Sequence, residues 1–68
     1  MSKLKHKPYQ KLKGKMRECN ITCSDLAELL NISETAVIHK INGRSDFYIS
    51  ETDTIIQSLG WNYDIFLN

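Results

Sequence analysis

The sequence predicts an all-α domain of five short helices. Apolar residues recur at three- and four-residue spacings, and no stretch shows the strict alternation of apolar and polar residues that marks a half-buried strand. Residues that favour helix starts stand ahead of these periodic stretches, and Asn or Gly follows them. A chain of 68 residues suffices for one domain, whose small core predicts marginal stability.

The first helix is predicted to begin at Pro8, because a first helical turn does not need the N–H that proline lacks. One apolar stripe along it is formed by Tyr9, Leu12, Met16 and Cys19. Asn20 is expected to end the helix in a left-handed conformation. Residues 1–7, rich in lysine, are expected to form a flexible basic arm, and residues 8–68 the single domain.

The second helix is predicted to begin after Thr22, with Asp25 three residues on as the partner in a capping box. Its buried face is expected to consist of Leu26, Ala27, Leu29 and Leu30. Asn31 is expected to end the helix, because asparagine tolerates a positive φ better than most residues.

The third helix is predicted to follow Ser33 as its N-cap and to end before Gly43. Val37 and Ile41, four residues apart, define its inner face. Ile32, in the turn ahead of it, is expected to fill the core. The turn between the second and third helices is therefore only about three residues long, a length typical of two helices that cross steeply.

The remaining residues predict a loop and two more helices. Phe47 and Ile49 are expected to point inward from the loop, with Tyr48 half-exposed. Ser50 and Asp53 are a candidate capping box for a fourth helix, whose apolar face contains Ile55, Ile56 and Leu59. The last helix is predicted near the C-terminus, among several large apolar residues.

The two cysteines raise the question of a metal site. Cys19 and Cys23 are separated by three residues, and His6 and His39 are the chain's histidines. Structural zinc sites usually have tighter, paired spacings. We therefore expect two reduced thiols, with Cys19 buried, and neither a metal nor another cofactor.

The charges are unevenly distributed along the chain, although the net charge is only +1. Seven of the nine Lys and Arg residues lie between Lys3 and Arg17, with no acidic residue among them, whereas the chain from Ser45 onward has four acidic residues and neither Lys nor Arg. This asymmetry favours a polyanionic partner, and the alternative is a solvated basic helix. No apolar run could span a membrane and no secretory signal is present, so we expect a cytoplasmic protein.

The most informative stretch is residues 22–43, TCSDLAELLNISETAVIHKING. It resembles the Cro/repressor-type (XRE-like) helix-turn-helix family of phage and bacterial transcriptional regulators, with Asn31 in place of the commoner glycine of the turn. Residues 59–67, LGWNYDIFL, are similar to the family's last turn and fifth helix, so that the resemblance covers about residues 9–67. It implies a lambda-repressor-like DNA-binding domain in a bacterial host cell. The short chain looks more like a Cro-type protein than a full-length repressor.

In this family the third helix enters the major groove of DNA. The side chains out of phase with its inner face are Glu34, Thr35, Ile38 and His39. Thr35 is expected to meet a base edge or a thymine methyl group, and Ile38 a thymine methyl group. The alternative for Ile38 is that it contacts another protein instead of DNA. His39 is also a candidate for reading a base, and its alternative is that it is an ordinary surface residue. Glu34 either accepts from a cytosine amino group or favours the positive end of the helix dipole.

Other residues are candidates for contacts with the DNA backbone, which position a protein without reading sequence. They lie at the start of the second helix and around the end of the third, and comprise Thr22, Cys23, Lys40, Asn42, Arg44 and Ser45. In the arm, Lys3, Lys5 and Lys7 are expected either to reach DNA or to remain in solvent.

The C-terminal segment suggests a homodimer, because it has more apolar surface than a short helix needs to seal a core. The candidate interface consists of Trp61, Tyr63, Ile65, Phe66 and Leu67. The alternative is that Trp61 and Phe66 fill the core of the monomer. A dimer would present two recognition helices about 34 Å apart to a palindromic site.

These expectations together describe a repressor that occupies a double-stranded DNA operator as a dimer. One alternative is an antirepressor that binds another phage regulator protein, which the low net charge, the exposed apolar Ile38 and the acidic Glu34 favour. A second is the antitoxin of a toxin–antitoxin pair. An enzyme is not expected, because no nucleophile–base pair, carboxylate pair or phosphate-binding loop occurs at a suitable spacing.

Overall fold

The computed structural model describes residues 6–67 as four α-helices followed by a 3-10 helix. In chain order these are α1 (Gln10–Glu18), α2 (Cys23–Leu30), α3 (Glu34–Ile41), α4 (Ile49–Leu59) and the 3-10 helix Tyr63–Phe66. No strand occurs within residues 6–67, and none of the helices there has the length and apolar content needed to cross a bilayer. The predicted all-α class is confirmed. The predicted fifth helix is a single four-residue 3-10 turn, a length too short for a ladder of i→i−4 hydrogen bonds.

Helix α1 starts at Gln10, two residues after the predicted start at Pro8, and ends at Glu18. Its inner face buries Leu12 and Met16. Asn20 has a φ of 59°, so the left-handed end of this helix is confirmed. The predicted burial of Cys19 is wrong: its thiol is exposed, because the helix ends one residue before it and Cys19 leaves the apolar stripe.

The predicted ends of α2 and the start of α3 are confirmed. The Thr22 N–H donates to Asp25 Oδ2 at 2.8 Å, and the Asp25 N–H donates to Thr22 Oγ1 at 3.1 Å. Asn31 ends α2 with a φ of 58°. The Ser33 hydroxyl then accepts from the Ala36 N–H at 3.1 Å. Each bond satisfies a backbone donor that the first turn of a helix leaves without a partner.

One hydrophobic core joins all five elements. Its buried members are Leu12, Met16, Leu26, Ala27, Val37, Ile41, Ile55, Trp61 and Ile65. Ile32 and Phe47 are partly buried against it, in agreement with their predicted inward positions. Val37 and Ile41 form the inner face of α3 as predicted.

Helix α4 begins differently from the prediction. It starts at Ile49, and Glu51 Oε1 accepts the N–H of the preceding Tyr48 at 2.9 Å. The predicted capping box of Ser50 and Asp53 is therefore wrong, because the helix begins two residues earlier than that box requires and Glu51 supplies the carboxylate. Ile49 is 81% exposed rather than inward, and Tyr48 is 70% exposed.

The chain before α1 passes directly over the loop that follows α3. Gly43 has a φ of +93°, and a Cβ there would lie 2.1 Å from the His6 carbonyl oxygen. Only glycine suits this combination of positive φ and close backbone approach. His6, assigned to the flexible arm from sequence, is thus packed on the domain.

Candidate nucleic-acid interface

The outer face of α3 presents most of the residues predicted to read bases. Glu34 and Thr35 are exposed, His39 is half-buried, and Ile38 is 40% exposed. Ile38 is thus a partly exposed apolar side chain, whereas Val37 and Ile41 of the same helix are buried.

A groove of about 390 Å³ runs beside Ile38, between α3, the start of α2 and α1. It is lined by Lys13, Met16, Arg17, Ile21, Thr22, Cys23, Ile38, Ile41 and Asn42. The groove brings Ile38, predicted to read bases, together with Thr22, Cys23 and Asn42, predicted to contact phosphates. Its lining is largely apolar and includes two cationic residues of α1.

Sequence reasoning did not assign Lys13 and Arg17 to the site. They are four residues apart, so they lie on the same side of α1, whereas Lys11 lies on another side and is exposed. That spacing was visible in the sequence. Which of the lysines on α1 would face α3 depends on how the helices pack, and periodicity alone does not reveal it.

The start of α2 combines a capped helix end with a half-buried thiol. Burial raises the pKa of Cys23, the Glu34 carboxylate raises it further, and Lys13 acts in the opposite direction. The thiol is therefore neutral near pH 7, and it does not add negative charge to the groove. The Thr22 N–H and the hydroxyl oxygen are already engaged with Asp25, which leaves the hydroxyl hydrogen to reach an external acceptor.

Lys40, predicted to contact the DNA backbone, is largely buried at the C-terminal end of α3. Its Nζ is 2.6 Å from Glu51 Oε1, and the two side chains are each 11% exposed. The same Nζ lies 4.5 Å from the centroid of the Tyr48 ring. The prediction that Lys40 contacts the DNA backbone is therefore corrected: the ammonium group is paired inside the protein and joins α3 to the start of α4.

The loop that follows α3 holds the other two candidates for phosphate contacts, Arg44 and Ser45. Arg44 is exposed and Ser45 is half-buried, and their N–H groups point back to the His39 carbonyl at 2.9 and 3.4 Å. In the arm, Lys7 is exposed, whereas Lys3 and Lys5 lie outside the described residues.

The C-terminal segment divides between the core and the surface. Trp61 and Ile65 are buried, and Phe66 meets the rings of Tyr9 and Phe47 edge-on at 5.4 and 5.5 Å. Trp61 and Ile65 thus belong to the core of the monomer, and Phe66 is half-buried against it. Of the predicted interface, Tyr63 is 56% and Leu67 61% exposed.

Within residues 6–67, no group of three or more His, Cys, Asp or Glu side chains is placed to hold a metal ion. No family model, no curated protein and no solved structure matches the chain.

Proposed function

We propose that this domain is a sequence-specific, double-stranded DNA-binding regulator of the helix-turn-helix type. The observation that carries the proposal is the partly exposed Ile38 on α3, beside a groove walled by Lys13 and Arg17. An apolar side chain suits thymine methyl groups, and flanking cations suit the phosphates on either side. Helix α3 is the proposed recognition helix.

The charge distribution supports the same partner. Lys13 and Arg17 supply positive charge to one side of the groove, while Glu34 is exposed at the start of α3. Phosphates repel Glu34, so if its carboxylate faces DNA it reads a base, such as cytosine through its amino group, and otherwise it serves the positive end of the α3 dipole. The low net charge of +1 predicts weak non-specific binding.

The proposed regulator acts by occupying its site as a homodimer. Because Trp61 and Ile65 are in the core and Phe66 packs against it, a dimer contact at the C-terminal end would use mainly the exposed Tyr63 and Leu67. Dimerisation would align two copies of α3 with two half-sites one helical turn apart.

The test is selection of sites from a random pool of double-stranded DNA, followed by fluorescence anisotropy at about 0.15 M salt with the selected site and a scrambled one. An enriched palindrome bound cooperatively, and much more tightly than scrambled DNA, is expected. If no site is enriched and weak binding disappears with salt, the proposal fails and the chain is better explained as a protein-binding antirepressor.

The groove itself is tested with two variants of α1. Arg17→Ala is expected to weaken binding to selected and scrambled DNA alike and to lower the slope of log K against log salt by about 1. Lys11→Ala removes the same charge from another side of the helix and is the matched control. Equal effects of the two substitutions would mean that only overall charge matters and that the groove does not contact phosphate.

A further inference from the structure

The groove beside Ile38 is larger than the proposed DNA contacts use. Its volume of about 390 Å³ lies in the range of small-molecule sites. A thymine methyl group is a single carbon, so a base contact at Ile38 fills only a small part of this volume. The lining residues define the chemistry of a ligand that would fill the rest.

Most of the lining is apolar. The side chains of Met16 and Ile41 belong to the core and are 6% and 3% exposed, so the groove reaches as far as the core. Ile21 and Cys23 are half-buried, and Ile38 completes the apolar surface. An apolar body in the groove would remove this surface from water, which is the main driving force for burying apolar groups.

The polar part of the lining has positive charge. Lys13 and Arg17 lie on the same side of α1, and within residues 6–67 neither of them forms an ion pair with a carboxylate. Thr22 and Asn42 add side chains that can donate hydrogen bonds. A few polar groups in a mostly apolar site are typical of small-molecule sites, where they orient the ligand.

Glu34 restricts where an anion can lie. It is not among the residues that line the groove, but its carboxylate raises the pKa of Cys23 and therefore lies near the start of α2. It would repel an anionic group bound there, whereas Lys13 and Arg17 would attract one on the α1 side. The groove therefore suits a ligand with its charge at one end and an apolar body at the other.

We propose that this groove is a binding site for a small organic anion that has an apolar body and one carboxylate. The carboxylate lies on the α1 side, with Lys13 and Arg17, and the apolar body lies against Met16 and Ile38. Because the same groove has the proposed DNA contacts, the anion and DNA exclude each other. This exclusion rests on the proposed function, whereas binding of the anion does not.

The first measurement is a titration of the wild-type protein with β-naphthoate, followed by the backbone amide signals in NMR spectra. Saturable shifts are expected at Thr22, Ile38 and Asn42, with a dissociation constant of about 1 mM or below for an anion of this size. The neutral amide of the same acid keeps the apolar body and is expected to bind about three- to fivefold more weakly. Acetate keeps only the carboxylate and should cause no saturable shift.

The second measurement repeats the titration with two variants of α1. Arg17→Ala is expected to weaken binding of β-naphthoate about three- to fivefold and to leave binding of the neutral amide nearly unchanged. Lys11→Ala removes a cation from another side of the helix and should change neither affinity by more than about twofold. Both positions are exposed, so neither substitution disturbs the core.

The third measurement adds β-naphthoate to the anisotropy assay with the selected DNA site, at a constant total salt of about 0.15 M. At about ten times its own dissociation constant, the anion is expected to raise the apparent dissociation constant for DNA about tenfold. If the anion binds but DNA binding is unchanged, the exclusion is overturned. A chain that binds the anion and selects no DNA would contradict the proposed function and support the anion site alone.

The anion site is overturned if the wild-type protein shows no saturable shift at the groove. It is also overturned if the shifts centre instead on a second groove of about 380 Å³ at the start of α1, which is lined by Lys7, Pro8, Gln10 and Lys11. Equal affinities for β-naphthoate and its neutral amide, or equal effects of Arg17→Ala and Lys11→Ala, would overturn the assigned role of the cations and with it the proposal.

Discussion

The two ends of α3 are held by different means. At its N-terminal end the Ser33 hydroxyl caps the helix through a contact three residues away, and Glu34 and Thr35 remain exposed. At its C-terminal end Lys40 is paired with Glu51, and the loop at Gly43 lies under the His6 backbone. One end depends on local chemistry and the other on contacts between distant parts of the chain.

This difference suits the proposed function. A recognition helix enters the major groove with its N-terminal residues closest to the bases. In the proposed complex, the end that would meet DNA is the open one, and the other end is fixed to α4 and to the segment before α1. The difference also predicts that substitutions at the fixed end change mainly stability, whereas those on the open face change mainly binding.

The largest loss of stability is expected for Lys40→Met. The substitution keeps the aliphatic stem but leaves the Glu51 carboxylate, 11% exposed, without its cation. Removing one partner of a buried ion pair is expected to lower the free energy of unfolding, measured with urea, by about 3 kcal/mol. Lys11→Met, at an exposed position of α1, is the control and should change it by less than about 0.5 kcal/mol.

A double variant separates the pair from the packing of the stem. Adding Glu51→Gln to Lys40→Met should recover part of the loss, because the amide oxygen still accepts the Tyr48 N–H and no unpaired charge remains. If Lys40→Met lowers the free energy of unfolding no more than Lys11→Met does, the ion pair of Lys40 and Glu51 does not hold α3 to α4.

The next largest effect is expected for Gly43→Ala, compared with Gly60→Ala. Both glycines have a positive φ, but a Cβ at Gly43 would meet the His6 carbonyl oxygen, whereas a Cβ at Gly60 would meet nothing within 4 Å. Gly60→Ala should therefore lower the free energy of unfolding by about 1 kcal/mol, because of its positive φ alone. Gly43→Ala should lower it by about 2 kcal/mol or more, because the new Cβ also meets the carbonyl oxygen. Both values are measured by thermal or urea unfolding.

Removing residues 1–6 turns this comparison into a test of the His6 contact. In the shortened chain, Gly43→Ala should cost about as much as Gly60→Ala, because the obstructing carbonyl is gone. An unchanged cost in the shortened chain would show that the strain at position 43 comes from the loop itself.

A smaller effect is expected at the open end of α3. Ser33→Ala removes the acceptor of the Ala36 N–H and should lower the free energy of unfolding by about 1 kcal/mol. Ser33→Asp should stay within a few tenths of a kcal/mol of the wild type, since aspartate also caps helices. Similar losses for both substitutions would indicate that position 33 acts through packing and not through its cap.

The same division explains what the sequence could predict of the fold. The caps at Thr22 and Ser33 and the left-handed Asn31 were predictable, because each depends on residues within about four positions. The start of α4 was not, because Glu51 binds both the neighbouring Tyr48 N–H and Lys40, eleven residues back. A buried lysine also contradicts the usual exposure of charged residues, so its burial could be known only with its partner.

Predictions for the candidate site follow the same pattern. Exposure of Glu34, Thr35 and Ile38 followed from helical phase relative to Val37. The placement of Arg17 on the groove did not, since it depends on how α1 packs. The division of the C-terminal apolar residues between core and surface depends on how many of them the core can accommodate, and periodicity over four residues carries no such information.

The smallest effect on stability, and the sharpest on function, is expected for Ile38→Ala. Ile38 is 40% exposed, and the higher helix propensity of alanine offsets the lost apolar contact, so the free energy of unfolding should change by less than about 0.5 kcal/mol. Binding to the selected site should weaken by about 1–3 kcal/mol in fluorescence anisotropy, with binding to scrambled DNA nearly unaffected.

Val37→Ala, on the buried face of the same helix, provides the converse control, because it should lower stability while preserving the preference for the selected site. An equal loss on both DNAs for Ile38→Ala would mean that this side chain does not read a base.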